Sequence, residues 1–162
     1  MTQRRSTHRI GRRALLGGLA GTAALCAWPA LAATAALPRV EVFKSPDCGC
    51  CSAWVDHLKG AGFDVKVTSV DDTSAARKRF GMPDDFGSCH TATVGGYVIE
   101  GHVPAVEVKR LLAARPAALG LAVPGMPPGS PGMEVGARRD PYQVFLVDRS
   151  GKATVFASYP KG

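Results

Sequence analysis

Acidic side chains are absent from the first 32 residues of this 162-residue chain, whereas the same segment holds five arginines: Arg4, Arg5, Arg9, Arg12 and Arg13. The formal net charge of +7 depends on this segment, because the rest of the chain carries 15 basic and 13 acidic side chains. A nearly neutral body lacks the basic surface of nucleic-acid-binding proteins, so we expect no nucleic-acid partner. The chain also lacks paired carboxylates at a usable position and a Ser-His-Asp arrangement, which argues against a hydrolase.

An apolar run long enough for a stable membrane span is also missing. The apolar stretch at residues 14–27 is short and rich in glycine, whereas a spanning helix needs about 20 residues. It follows the arginines and precedes Ala30-Leu31-Ala32, which has the pattern of a cleavage signal. We therefore predict a secretory signal over residues 1–32, cleaved near Ala32, and a periplasmic protein without a stable membrane anchor. The pair Arg12-Arg13 resembles the twin-arginine export signal, and a Sec signal is the alternative.

The exported chain is expected to be one α/β domain over residues 39–162, preceded by a linker at residues 33–38. An apolar fraction of 46% is enough for a single core. The predicted elements are strands at 40–43, 63–67, 91–94 and 97–100, and helices at 52–59, 73–80 and 104–112. This order, with cysteines after the first strand, is typical of a thioredoxin-like three-layer domain. Arg77, Lys78 and Arg79 are interpreted as a solvated face of the second helix.

Residues 119–133 are rich in proline and glycine, so we expect a loop there and exclude a helix or a central strand. Beyond this loop, residues 142–147 and 153–158 are apolar segments joined by Asp148-Arg149-Ser150-Gly151. This pattern predicts an extra C-terminal β-hairpin, added at an edge of the sheet.

Three cysteines occur within four residues, Cys48, Cys50 and Cys51, at the start of the first predicted helix. Free backbone N–H groups and the positive end of the helix stabilise thiolates there. Packed thiolates suit Cu(I), a soft ion of low coordination number, whereas zinc prefers tetrahedral ligands from two segments. The Cys48-x-x-Cys51 spacing also suits a thiol–disulfide oxidoreductase, in which Cys48 attacks and Cys51 resolves. A pair of structural disulfides is a third alternative.

Cys89 and His90 are expected to reach this cluster, because they enter the third core strand and the preceding loop faces the cysteine turn in a thioredoxin-type fold. Further metal candidates are His102, at the entry to the last core helix, and Met126 and Met133 on the Pro/Gly-rich loop. Thioethers bind Cu(I) and persist in an oxidising compartment. His57 lies six residues after Cys51 and is expected at the surface.

Residues 42–51, Ser88-Cys89-His90-Thr91-Ala92 and residues 97–104 resemble the CopG-type copper-resistance proteins, which are bacterial periplasmic metal-binding proteins of thioredoxin-like fold. The resemblance covers residues 39–135 and includes the Gly-Met-Pro-Pro-Gly-Ser-Pro-Gly-Met segment. It implies a cysteine-bridged Cu(I) site for one or several ions, a thiol-redox role in copper handling, and periplasmic copper efflux or carrier proteins as partners. By motif match, it implies metal ligands at Cys48, Cys50, Cys51, Cys89 and His90.

Overall fold

A computed structural model describes residues 36–160 of the chain. The predicted signal at residues 1–32 and its cleavage near Ala32 lie outside the described residues. They stay predictions, as do the linker and the domain boundaries. Within residues 36–160, no helix combines the length and the apolar character that a bilayer span requires.

The described part of the chain contains seven strands and three α-helices in a mixed α/β arrangement, which confirms the predicted fold class. The elements are β1 Val40–Lys44, α1 Gly49–Gly60, β2 Val65–Ser69, α2 Thr73–Arg79, a 3₁₀ turn Asp84–Phe86, β3 His90–Val94, β4 Tyr97–Glu100, α3 Ala105–Ala114, β5 Gly120–Ala122, β6 Tyr142–Val147 and β7 Ala153–Tyr159. The strand order is β2-β1-β3-β4-β5-β6-β7. The pairs β1–β2 and β4–β5 are parallel, and the other neighbours are antiparallel. The finer thioredoxin-like classification stays a prediction.

Both faces of the sheet bury apolar side chains. Helices α1 and α3 cover one face, where the fully buried Trp54 and Leu58 lie one helical turn apart on α1. On the other face, Met82 packs with Val98 and Ala122. Full burial of each large apolar side chain stabilises the fold by about 1.5–3 kcal/mol. This packing holds the start of α1 next to the strand ends that carry the candidate site.

The C-terminal hairpin forms as predicted at one edge of the sheet, with β7 outermost and β6 paired to β5. The exclusion of a central strand from residues 119–133 is wrong, because β5 lies between β4 and β6. Its three residues, Gly120–Ala122, precede the first proline of that stretch, Pro124. The lack of a side chain at Gly120 matters, since a Cβ there would overlap the backbone of Val98 on β4.

Helix α2 also departs from expectation at Arg77. Its side chain is 11% exposed rather than solvated. It donates to Asp84 Oδ1 from Nη2 (2.9 Å) and lies 3.7 Å from the buried Glu100 carboxylate. The side chain of Lys78 is exposed, as expected. Arg77 is buried because the 3₁₀ turn and β4 provide it with carboxylates, which the local sequence of α2 does not reveal.

Candidate metal centre

Helix α1 begins at Gly49, three residues before the predicted start at Ser52. Cys48 is its N-cap residue, and its sulfur accepts the N–H of Cys51 at 3.3 Å. The preceding turn is held by Lys44, a nearly buried side chain whose ammonium donates to the carbonyl of Ser45 at 2.8 Å. The three clustered cysteines therefore lie on the cap and the first turn of the helix, where backbone N–H groups favour negative charge.

Cys48 and Cys51 are joined by a disulfide, with Cα atoms 5.4 Å apart. Cys50 and Cys89 are free thiols, and both are partly exposed. The paired cysteines are the two that the oxidoreductase hypothesis requires. The structural-disulfide alternative requires two disulfides among Cys48, Cys50, Cys51 and Cys89, and the described residues contain one.

Cys89 lies against the cysteine turn. Its sulfur is 3.4 Å from that of Cys51 and 3.9 Å from that of Cys50, and Cys50 lies 3.5 Å from Cys48. All four sulfurs lie within 4.8 Å of one another. The fold thus brings the sulfur at the start of β3 next to three sulfurs at the start of α1, close enough to share a bound ion.

Two buried imidazoles contact the same Cys89 sulfur, with His90 Nδ1 at 3.3 Å and His102 Nε2 at 3.1 Å. His102 Nδ1 is 2.8 Å from the carbonyl oxygen of Pro131. Because a carbonyl only accepts, His102 Nδ1 carries the proton and Nε2 presents its lone pair toward Cys89. Cys89, His90 and His102 form a second group able to hold a metal ion, and it shares Cys89 with the sulfur cluster.

Burial governs the protonation of this second group. It raises the pKa of the Cys89 thiol to about 12, and the neighbouring Cys50 adds to the rise. It lowers the pKa of His90 to about 3, with a smaller contribution from His102, whose own pKa burial also lowers. At neutral pH both imidazoles are therefore neutral and keep a lone pair for a metal ion. Cys89 keeps its proton until a bound cation displaces it.

The Pro/Gly-rich loop packs over both halves of the site. At Gly132, an added Cβ would lie 2.6 Å from the Cys50 carbonyl oxygen and 2.8 Å from the Trp54 nitrogen. Nearer its start, the loop pairs the N–H of Gly125 with the carbonyl of Gly87 at 2.9 Å. This close approach allows the Pro131 carbonyl to reach His102. Met126, which is 51% exposed, and Met133, directly after Gly132, lie on this loop. Their role as ligands stays a prediction.

Comparison with solved structures identifies the relatives of the chain. A structure named "Copper resistance protein copG- Form 2" is 47% identical, with a TM-score of 0.73, over 76% of this chain and 99% of its own. Form 1 of the same name is 46% identical, with a TM-score of 0.72, over 77% and 99%. The chain belongs to the CopG family. A family model described as a protein of unknown function, DUF411, matches residues 86–133. No curated protein matches the chain.

In this member of the CopG family, Glu100 lies beside the candidate site and was not among the predicted site residues. One carboxylate oxygen accepts the N–H of Ser88 at 2.8 Å, and the other accepts the hydroxyl of Thr91 at 2.7 Å. A signal was present, because a two-residue turn at Gly95-Gly96 sets a register in which Thr91 is opposite Glu100.

His57 lies at the exposed surface of α1 and outside both cysteine–histidine groups, in agreement with its expected position. Its Nε2 accepts the N–H of Ala105 at 3.0 Å, at the first residue of α3. His57 therefore satisfies a backbone N–H group at a helix start, and it offers a control histidine for tests of the site.

Proposed function

We propose that the protein is a periplasmic copper-binding protein of copper resistance. It holds Cu(I) through Cys48, Cys50, Cys51, Cys89 and His90, with His102 as a further ligand. The observation that carries the proposal is the convergence of four sulfurs within 4.8 Å, one of which also contacts two buried imidazoles. The names of the related structures support copper as the ion.

The residues fit this ion by their chemistry. Thiolate sulfur is the soft ligand that Cu(I) prefers, and neutral imidazole is a common copper ligand. His90 Nε2 is buried without a hydrogen-bond partner in the described part of the chain, and a buried polar atom of this kind calls for a ligand. Reduction of the Cys48–Cys51 disulfide makes all four sulfurs available. Because the two groups share Cys89, we propose that more than one ion can be bound.

Export is part of the proposal. The signal at residues 1–32 directs the chain to the periplasm, where cleavage near Ala32 releases the mature protein. There it sequesters copper or exchanges it with periplasmic efflux or carrier proteins. The intact mass of protein purified from the periplasm tests cleavage, and a mass that includes residues 1–32 would contradict it.

Anaerobic loading tests copper binding. The exported protein is reduced and titrated with Cu(I), and the copper-to-protein ratio and the thiolate-to-copper absorption are measured. We expect at least one tightly held copper per chain, and a decrease for the Cys89→Ser variant but not for the His57→Gln control. A ratio near zero without thiolate-to-copper absorption would reject the proposal.

A second candidate function is thiol–disulfide oxidoreductase, which the Cys48–Cys51 disulfide favours. The Cys48 thiolate attacks a substrate disulfide and forms a mixed disulfide, and the first substrate sulfur leaves as a thiol. The Cys51 thiolate then attacks Cys48, which releases the second substrate thiol and forms the Cys48–Cys51 disulfide. A dithiol donor returns the pair to the reduced state. The same pair can supply two electrons to two Cu(II) ions, giving two Cu(I) ions and two protons.

The Cys50→Ser variant separates the two functions, because Cys50 belongs to the sulfur cluster but not to the disulfide. Full disulfide reductase activity with loss of copper binding would favour thiol chemistry that is independent of copper. Loss of both properties, or no reductase activity in the unmodified protein, would favour the metal role.

A further inference from the structure

We propose that Glu100 is a positioning residue for copper binding, which fixes the sulfur of Cys89 against the cysteine turn of α1. The inference rests on the proposed copper function, since it concerns the placement of one ligand of that site. Glu100 is not itself a proposed ligand, but it keeps the start of β3, which carries Cys89, next to the start of α1.

The carboxylate holds the chain on both sides of Cys89-His90. Glu100 is fully buried. It accepts the N–H of Ser88, the residue before the dipeptide, and the hydroxyl of Thr91, the residue after it. Hydrogen bonds to a charged acceptor are stronger than those between neutral groups. A single side chain therefore fixes both ends of the dipeptide that carries a sulfur and an imidazole of the site.

The surroundings leave Ser88 little freedom to move. Its hydroxyl donates to the carbonyl of Gly125 on the Pro/Gly-rich loop. Gly101 lies so close that an added Cβ would be 2.6 Å from Ser88 Oγ. The N–H of Gly101 also donates to the carbonyl of His90 at 3.0 Å. Both glycine contacts of Ser88 involve its side chain, whereas Glu100 ties its backbone N–H, directly before Cys89, to β4.

Arg77 connects this carboxylate to helix α2 and the 3₁₀ turn. Its guanidinium lies 3.7 Å from Glu100 Oε1 and donates a hydrogen bond to Asp84 in the 3₁₀ turn. The positive charge of Arg77 offsets the free-energy cost of burying the Glu100 carboxylate. Both carboxylate oxygens therefore stay available to accept from Ser88 and Thr91.

Glu107 provides a matched control for loss of a buried glutamate. It is also fully buried, accepts the hydroxyl of Tyr159 at 2.8 Å and pairs with Arg110 at 2.9 Å. Arg110 lies on α3 and Tyr159 on β7, and neither residue belongs to the cysteine–histidine groups. Replacement of Glu107 therefore disturbs the core without moving Cys89.

The test compares four variants of the exported protein: E100D, E100Q, E100A and E107A. E100D keeps the charge but is one methylene too short to reach both Ser88 and Thr91. E100Q keeps the length, and its amide accepts from Ser88 and donates to the Thr91 hydroxyl. Cu(I) affinity is measured by competition with a chelator. Phenylarsine oxide, which bridges two neighbouring thiols, is titrated without copper into protein whose Cys48–Cys51 disulfide is intact, so that it reports the free Cys50–Cys89 pair. Denaturant unfolding of the copper-free protein reports stability.

We expect E100D to lose about 10- to 100-fold in Cu(I) affinity, as supporting residues of metal ligands do, and to bind the arsenical more weakly. E100A should lose at least as much, E100Q should stay close to the unmodified protein, and E107A should lose stability but neither binding property. If E100A does not fold, the comparison of E100D with E100Q decides.

Three results would overturn the proposal. E100D could bind the arsenical and Cu(I) like the unmodified protein, E107A could lose as much binding as E100D, or E100Q could lose as much as E100D. Failure of the copper function is distinguishable, because the unmodified protein would then bind no Cu(I). A weaker arsenical complex of E100D would still support the positioning of Cys89 by Glu100.

Discussion

Replacement of Gly132 by alanine should separate the Pro/Gly-rich loop from the site. Gly132 has a φ of +85°, and its ideal Cβ would lie 2.6 Å from the Cys50 carbonyl oxygen and 2.8 Å from the Trp54 nitrogen. Both atoms are backbone of the first turns of α1, which cannot yield without breaking the helix. The loop must therefore move away from the helix in the G132A variant.

The size of this movement follows from the overlap. Ordinary van der Waals contact begins near 3.4 Å, so the loop must retreat by about 0.8 Å at residue 132. The same shift at Pro131 would lengthen its contact with His102 Nδ1 from 2.8 Å to about 3.6 Å, which is no longer a hydrogen bond. His102 would lose the partner that orients its Nε2. Loss of such a partner costs about 10- to 100-fold in metal affinity, or about 1.4–2.8 kcal/mol.

The assay is Cu(I) competition with a chelator on reduced protein, and the matched control is G136A. Gly136 has a φ of +63° and, its chain neighbours aside, no atom of residues 36–160 lies within 4 Å of its ideal Cβ. Both variants carry the cost of a left-handed alanine, about 1–2 kcal/mol of stability, but only G132A carries the overlap. Equal Cu(I) affinities of G132A and G136A would refute the reasoning that the loop orients His102.

Three further predictions concern the thiols and the histidines. The exported protein should show two free thiols after denaturation without a reductant, Cys50 and Cys89, and four after reduction, by mass spectrometry of alkylated chains; four thiols at the start would contradict the disulfide. The contribution of His90 to the free energy of unfolding of the copper-free protein should be at its maximum above pH 6.5 and should be lost as the pH falls toward 3. The reason is that burial lowers the pKa of His90 to about 3, so at intermediate pH the imidazole takes up a proton only on unfolding. In denaturant titrations a His90→Asn variant should show a shallower decline, and an unchanged slope would exclude His90 as a cause. His102→Gln should lower Cu(I) affinity at least about tenfold, whereas His57→Gln should not; equal losses would mean that His102 is no ligand.

Most elements could be predicted from local pattern. The Gly95-Gly96 turn between two apolar segments predicts the β3–β4 hairpin, and the segments after residue 141 predict the β6–β7 hairpin. Strand β5 could not be predicted, because three residues carry too little pattern and become a strand only by pairing with β4 and β6. The predicted helix at 52–59 begins three residues after the observed start of α1, because its cap is the sulfur of Cys48 and cysteine is not among the residues that ordinarily mark a helix start.

Local pattern also predicts part of the site. Residue type and spacing single out Cys48, Cys50 and Cys51, and the start of β3 singles out Cys89. Local pattern favours His90 over His102, because nothing near His102 in the sequence indicates that the carbonyl of Pro131 orients its ring.

The sequence by itself determined which chemical groups the chain carries: soft sulfur side chains at a helix start, a Cys-His pair at a strand start, and an arginine-rich first segment from which an export signal is predicted. Only the tertiary structure decided which sulfur is shared, which imidazole nitrogen faces it, and that a buried carboxylate holds the shared cysteine in place. Such properties depend on ångström-scale distances between segments remote in the chain, and packing of the core sets those distances.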